Sequence, residues 1–186
     1  TLGKGQSIAA TDMGWKPEGE DFYAYSSEAF SVVHTAIVDE PPGTVLTQAD
    51  FSGATLSLDS RDQLLVYQGS LRNPTFLCAF DWSGYGWQTS DWSYSGTYYS
   101  GLPRGLTSGM DALNPVSQGW VSGYSTQHDN WAYTGTDTAS ISRLRMAIAT
   151  GGNWQHSDNS RSTIAALVKT SFTMLPPSPS PPRSRT

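Results

Sequence analysis

The sequence predicts an all-β protein, a β-sandwich with one short helix, followed by a polyproline II tail. Short apolar runs alternate with turns rich in Gly, Pro, Asp and Ser, which is the pattern of a sandwich built from short strands. A single segment has the apolar spacing of a helix. Five of the last eleven residues are proline, which joins neither a helix nor a sheet ladder.

The first half of the chain supplies most of the predicted strands. They are Ser7–Ala10, Ala29–Val38 and Thr55–Leu58, with an extended segment at Thr44–Leu46. The strongest strands are predicted at Gln63–Tyr67 and Thr75–Phe80, with a connecting loop over residues 68–74. The second of them suggests that Phe76 is in the core. Cys78, the only cysteine, lies in the same run and is expected to be buried; a bond to another chain or a reactive thiol is the alternative.

The residue composition changes where the second half of the chain begins. Residues 81–101 interleave Trp and Tyr with Ser and Gly, which predicts a long aromatic-rich loop or an irregular hairpin. A helix is predicted over residues 137–150, ended by Gly151-Gly152. Its apolar face would consist of Ile141, Leu144, Met146 and Ile148. Strands at Ile164–Val168 and Ser171–Leu175 would close the sandwich.

The composition predicts one head domain, residues 1–175, and a stalk or linker, residues 176–186. Charged residues make up only 15% of the chain and aromatics 12%, a balance typical of secreted surface modules. The net charge of −5 argues against a nucleic-acid partner, since phosphate contacts need clustered Lys and Arg. No apolar window is long enough to predict a membrane span.

No residue pattern in the chain points to catalysis. There is no Gly-x-Ser-x-Gly elbow, and His34, His128 and His156 lack the spacing of zinc ligands. We therefore expect no enzyme, no catalytic residues, no resident metal and no cofactor. Calcium is the alternative, because loop carboxylates are its usual ligands. The candidate carboxylates are Asp12, Asp59, Asp62, Asp81, Asp91, Asp129 and Asp158.

The aromatic-rich loop is the candidate region for recognition. Its rings could stack on sugars or anchor a protein partner. The residues expected to contact a ligand or partner are Trp82, Tyr85, Trp87, Trp92 and Tyr94. The alternative is structural, with the Trp side chains covering one end of the sandwich.

Several phrases resemble secreted β-sandwich modules of bacterial and algal surface proteins, distant relatives of lamin-tail-like immunoglobulin-type domains. They include Gly5-Gln6-Ser7-Ile8, Thr11-Asp12-Met13-Gly14-Trp15, Pro42-Gly43-Thr44-Val45, Leu56-Ser57-Leu58, Asp62-Gln63-Leu64-Leu65-Val66-Tyr67-Gln68-Gly69, Pro74-Thr75-Phe76-Leu77 and Asn153-Trp154. The likeness extends over most of residues 5–160. The resemblance implies an immunoglobulin-like β-sandwich and an extracellular setting, and it assigns no chemistry.

The Ser-Pro alternation of the tail resembles the hydroxyproline-rich shafts of plant and green-algal glycoproteins. That resemblance implies hydroxylation or O-glycosylation at Pro176, Pro177, Ser178, Pro179, Ser180, Pro181 and Pro182. We expect a structural subunit of an extracellular glycoprotein assembly, a cell-wall or flagellar-surface filament. Its partners would be copies of itself, other extracellular glycoproteins or polysaccharide. The alternative is a carbohydrate-binding or adhesion module that uses the aromatic-rich loop, with or without calcium.

Overall fold

The computed structural model describes residues 1–17, 19–23, 31–53, 62–89, 100–115, 130–157, 169 and 171–176. The predicted strands Thr55–Leu58 and Ile164–Val168 and the tail beyond Pro176 lie outside these ranges. Within them the chain is built mostly of strands with one short helix, so the all-β class is confirmed.

The described elements are short, and most strands have two to five residues. The strands are β1 Ser7–Thr11, β2 Gly14–Lys16, β3 Asp21–Tyr23, β4 Ser31–Thr35, β5 Ser52–Gly53, β6 Gln63–Ser70, β7 Asn73–Asp81, β8 Ala112–Leu113, β9 Trp131–Tyr133, β10 Thr138–Ala139, β11 Trp154–His156 and β12 Thr173–Met174; the helix is α1 Ile141–Ile148.

A six-stranded sheet, in the order β5-β4-β1-β6-β7-β8, organises the molecule. Its neighbouring strands are antiparallel, apart from the parallel pair β7–β8. Three two-stranded ladders accompany it: β2–β3 and β9–β11 are antiparallel, and β10–β12 is parallel. β6 and β7 are the longest of the described strands, and they contain the two runs that the sequence predicted most strongly as strands.

The hairpin is longer than predicted, because the expected loop over residues 68–74 is mostly strand. The ladder continues to the pair Ser70 and Asn73, so Leu71 and Arg72 alone make the turn. Gly69 permits this close approach with a φ of +92°, and a Cβ at that position would lie 2.6 Å from the Asn73 carbonyl oxygen. The prediction missed the extension because polar residues near a tight turn resemble a loop in sequence.

A β-bulge interrupts the hairpin between Val66 and Tyr67. Val66 pairs with Cys78 and Tyr67 pairs with Phe76, so Leu77 is the extra residue on β7. A one-residue shift moves every later side chain to the opposite face of the sheet. Phe76 and Ala79 therefore both face the core, while Cys78 faces the other way.

One face of the sheet is packed into the hydrophobic core. Its buried cluster consists of Ala9, Trp15, Leu65, Tyr67, Phe76, Ala79, Leu106 and Ala112. Trp15 is 1% exposed, and its ring meets that of Phe76 edge to face at a centroid distance of 4.8 Å. The prediction that Phe76 lies in the core is confirmed, since only 8% of the residue is exposed.

The helix forms inside the predicted range but is shorter, with Ser140 as its N-cap and a 3-10 turn at Gly151–Asn153 after it. The predicted apolar face is correct only in part, and Leu144 is its one buried residue. Ile141, Leu144 and Ile148 do share one side at helical spacing, but Met146 lies two residues from Leu144 and points elsewhere. With eight residues, α1 is too short to cross a membrane, and no other described helix is longer.

Candidate functional site

A groove of about 610 Å³ opens on the second face of the central hairpin. Its floor is supplied by β6 and β7, and its sides by β9, β11 and the end of α1. This volume falls within the range of about 300–1,000 Å³ that is usual for ligand sites. We call it the aromatic groove. It is the candidate functional site because nearly all of the side chains that line it are apolar.

The floor of the aromatic groove follows directly from strand alternation and the bulge. Leu64 faces Phe80 across the ladder, and Val66 faces Cys78. Successive residues of a strand point to opposite faces, so these four are the counterparts of the core residues Leu65 and Ala79. Both faces of the hairpin are apolar, but among the described residues a hydrophobic cluster fills only one of them.

The sides are aromatic. The Phe80 ring lies 4.9 Å from the Trp82 ring, 4.9 Å from the Trp154 ring and 6.0 Å from the Trp131 ring, measured between centroids. The Trp154 indole Nε1 donates a hydrogen bond of 2.7 Å to the Ile148 carbonyl, which ties this side to the end of α1. Tyr133 packs on Trp154 from behind, edge to face at 5.5 Å. These contacts hold the rings as a preformed surface.

One ion pair lies among the apolar lining. An Arg145 Nη donates to an Asp111 carboxylate oxygen at 3.1 Å, and the other Asp111 oxygen accepts the Thr107 N–H at 2.5 Å. The Arg145 side chain is 56% exposed, so the guanidinium keeps donors facing solvent. The groove therefore combines a broad apolar surface with one charged pair, an arrangement suited to binding.

Cys78 corrects the sequence prediction, because it is exposed and not buried. The bulge carries it out of the core and onto the floor of the aromatic groove. Although the residue reaches solvent, the groove walls around it partly desolvate the thiol and raise its pKa to about 11, against a smaller opposing effect of Arg145. The thiol is therefore protonated at neutral pH, which disfavours a role as a nucleophile.

The residues predicted to contact a ligand are divided between the two faces of the sheet. Trp82 is 7% exposed and lines the aromatic groove. Trp87 packs against the core cluster on the opposite side, and Tyr85 is half-buried. Trp92 and Tyr94 lie outside the described residues. The predicted loop therefore does not present its described rings as one platform.

Sequence reasoning did not identify Trp131 and Trp154 as groove residues. They come from β9 and β11, which pair with each other, and reach Phe80 from more than fifty positions along the chain. The Asn153-Trp154 pair is one of the phrases that resemble secreted β-sandwich modules, but the resemblance gives it no role in a site. Its position beside Phe80 depends on tertiary packing that no local pattern encodes.

Some of the carboxylates proposed as calcium ligands lie among the described residues and others do not. Asp59, Asp91, Asp129 and Asp158 lie outside the described residues. Asp81 is fully buried, where it accepts the Ser83 N–H and the Asn114 amide, each at 2.8 Å. Burial raises the pKa of Asp81 to about 7. Across the described part of the chain, no three His, Cys, Asp or Glu side chains are grouped as a metal site would require.

Two of the histidines have structural contacts. His34 bonds through Nδ1 to the Asp50 carbonyl at 2.8 Å and through Nε2 to the Glu40 carboxylate at 2.7 Å. The bond to the Asp50 carbonyl is the main reason that the pKa of His34 is raised. The His156 ring packs on Trp131 at 4.8 Å. His128 lies outside the described residues.

Comparison with known proteins assigns no family. No family model matches the chain, and no curated protein or solved structure is similar enough to count as a match. The aromatic groove and the composition of the tail are therefore the observations from which a function can be argued.

Proposed function

We propose that this chain is a structural subunit of an extracellular glycoprotein assembly, in which the head domain holds a neighbour through the aromatic groove. The observation that carries the proposal is the open, apolar second face of the β6–β7 hairpin. An apolar patch of this kind on a folded domain usually marks a contact with a partner.

The tail supports the same proposal from the sequence side. Its Ser-Pro alternation would form an extended rod that carries O-linked sugar or hydroxyproline between residues 176 and 182. The low proportion of charged residues in the head fits a surface that packs against other proteins. In the same proposal the head is an immunoglobulin-like sandwich of the lamin-tail-like type, located outside the cell.

The chemistry of the site favours holding a partner over transforming a substrate. The groove contains one thiol with a raised pKa and one ion pair, Arg145 with Asp111. General acid–base or nucleophilic catalysis would need a titrating group poised near neutral pH in the groove. Asp81, whose pKa is about 7, is fully buried and bonded to its own turn.

Two measurements on protein from its native source test the proposal. Sedimentation over a range of concentrations should show association, and intact mass should exceed the mass of the bare chain by sugar located on the tail. A chain that stays monomeric and carries an unmodified tail would contradict it. Protein produced in bacteria is the matched control for the mass.

Carbohydrate binding is a second candidate, and the indole rings of the groove favour it. Trp131 and Trp154 flank Phe80, and flat rings of this kind stack on sugar faces. Calcium dependence belongs to this candidate alone. Binding to wall polysaccharides that is lost in Trp131→Ala and unaffected by Leu71→Ala, which removes an exposed apolar side chain on the hairpin turn, would favour it. Absence of binding with and without calcium would eliminate it.

A further inference from the structure

We propose that the aromatic groove holds the proline-rich tail, residues 176–186, of a neighbouring copy of this chain, so that heads and tails link in series. The inference rests on the proposed function, since it names the contact through which the assembly forms. It assigns the groove a specific occupant, the edge of a polyproline II helix on which proline recurs at every third residue.

The groove has the chemistry that proline-rich segments require. Such segments dock on aromatic-lined surfaces because proline rings pack flat against aromatic rings. The polyproline II conformation is already extended, so docking costs little conformational entropy. Phe80, Trp131 and Trp154 provide clustered rings, with the exposed Arg145 guanidinium beside them as a donor for backbone carbonyls.

The spacing of prolines in the tail matches such a groove. A polyproline II helix has about three residues per turn, so every third residue lies on one edge. One edge of the tail reads Pro176, Pro179, Pro182 and Arg185. Ser178 and Ser180, the serines proposed for glycosylation, fall on the other two edges. A proline edge can therefore lie in the groove while sugar on the two serines projects away from it.

The opposite formal charges of head and tail favour the same pairing of groove and tail. The tail carries two of the eleven basic residues of the chain, Arg183 and Arg185, and no acidic residue. All sixteen acidic residues precede it, so residues 1–175 have a formal charge of −7 and the tail +2. Asp111 places a carboxylate in the groove lining, and a carboxylate has acceptor sites for more donors than Thr107 and Arg145 provide.

The position at which the tail leaves the head favours a neighbour over the tail's own groove. The Leu175 N–H donates to the Ala139 carbonyl at 2.9 Å, so Pro176 starts close to the beginning of α1. The groove lies at the other end of α1, about 12 Å along the helix. A polyproline II rod is stiff over several residues, so it could enter its own groove over so short a path only by leaving the head in the direction of that groove. As a polyproline II rod, the ten residues beyond Pro176 would span about 31 Å, enough to reach another head.

Binding of a tail peptide tests whether the proline-rich tail is the occupant of the groove. The full chain carrying Pro179→Ala and Pro182→Ala, which weakens its own tail, is titrated into a labelled, unglycosylated peptide of residues 176–186. We expect saturable binding. The peptide with Pro179→Ala should bind at least about tenfold more weakly, while Pro181→Ala, on another edge, should bind nearly as well as the parent.

A groove-filling variant tests the location. Cys78→Trp places a large ring on the floor of the groove, at an exposed position, and should weaken peptide binding at least about tenfold. Ile37→Trp is the matched control, because it adds the same ring at a residue that is 81% exposed and outside the groove lining. Circular dichroism of both variants is the control that checks that they fold. Equal peptide binding by the two variants would overturn the inference.

Alkylation of Cys78 distinguishes docking between chains from docking within one chain. The chain with its natural tail is alkylated at about pH 9 over a range of protein concentrations, since only the thiolate reacts. Protection that grows with concentration and is absent in the Pro179→Ala, Pro182→Ala chain supports docking between copies. Protection independent of concentration, or no protection, overturns it. A chain that associates without binding the peptide would refute this inference while leaving the proposed function standing.

Discussion

The two faces of the β6–β7 hairpin are built from the same strands, but one is packed in the core and the other lines a groove. On one face Leu65, Tyr67, Phe76 and Ala79 join a closed hydrophobic cluster that also includes Trp15. On the other face Leu64, Val66, Cys78 and Phe80 form the floor of a groove. The residue types on the two faces are alike, so the difference lies in what covers them.

This difference separates the part of the hairpin that serves stability from the part that the proposed partner would cover. Burial of apolar surface contributes roughly 25 cal/mol per Å² removed from water. The packed face has gained that contribution within the head, whereas the groove face can gain it when a partner docks. Substitutions on the first face should therefore lower the free energy of unfolding, and those on the second should lower affinity.

The largest effect is expected from Phe76→Ala on the packed face. The Phe76 ring contacts Trp15, Phe22 and Tyr67, so truncation leaves a cavity inside the cluster. The cost should be about 3–5 kcal/mol in the free energy of unfolding, measured by urea denaturation. A loss below about 1 kcal/mol would mean that the packed face is not the core.

A change of similar size is expected from pH, through Asp81 at the end of the packed face. Burial raises the pKa of Asp81 to about 7 from 3.8, so the folded state keeps a proton that the unfolded state releases. The resulting stability is complete below about pH 4 and is lost as the pH rises to about 7, a total of about 4 kcal/mol. Urea denaturation at about pH 4.5 and pH 8 should show the decrease.

The control for this pH dependence is Asp81→Asn, which imitates the protonated carboxyl and should flatten most of the slope. His34 should leave a smaller slope of the same sign. Its pKa is raised chiefly by the bond to the Asp50 carbonyl, so its contribution is also lost as the pH rises through that raised value. An unchanged slope in Asp81→Asn would mean that Asp81 is ionised in the folded state at neutral pH.

Sequence patterns anticipated the two strands of the hairpin but not its two faces. The apolar runs at Gln63–Tyr67 and Thr75–Phe80 predict strands, and both are present in β6 and β7. The bulge at Leu77 has no local signature, and it decides which face Cys78 occupies. Runs that are apolar on both sides also do not reveal which side will be covered.

The groove was beyond sequence reasoning for a further reason. Its rings come from Phe80, Trp131 and Trp154, which lie on three separate strands and meet only after the sheet and α1 have packed. The prediction instead followed the local density of aromatics in residues 81–101, whose Trp82 and Trp87 lie on opposite faces. Local density of aromatics is a poor guide to a site assembled from distant strands.

A smaller effect on stability is expected from Phe80→Ala on the groove face. The ring is half-buried and contacts Trp82, Trp131 and Trp154, so its loss should cost about 1–2 kcal/mol, less than the loss of Phe76. The same variant should lower the affinity for the tail peptide by about tenfold or more. Urea denaturation and peptide titration of Phe76→Ala and Phe80→Ala should therefore rank the two variants in opposite orders. Identical rankings would remove the distinction between the faces.

The smallest effect is expected from Cys78→Ser, which tests whether the groove floor is open to solvent. A serine hydroxyl at an exposed position keeps its contact with water, so the free energy of unfolding should change by less than about 0.5 kcal/mol. Were Cys78 sealed in the core, the hydroxyl would be desolvated at a cost of about 1–3 kcal/mol. Urea denaturation of the two proteins decides between these values. A large loss would place Cys78 back in a closed interior and leave the groove without an accessible floor.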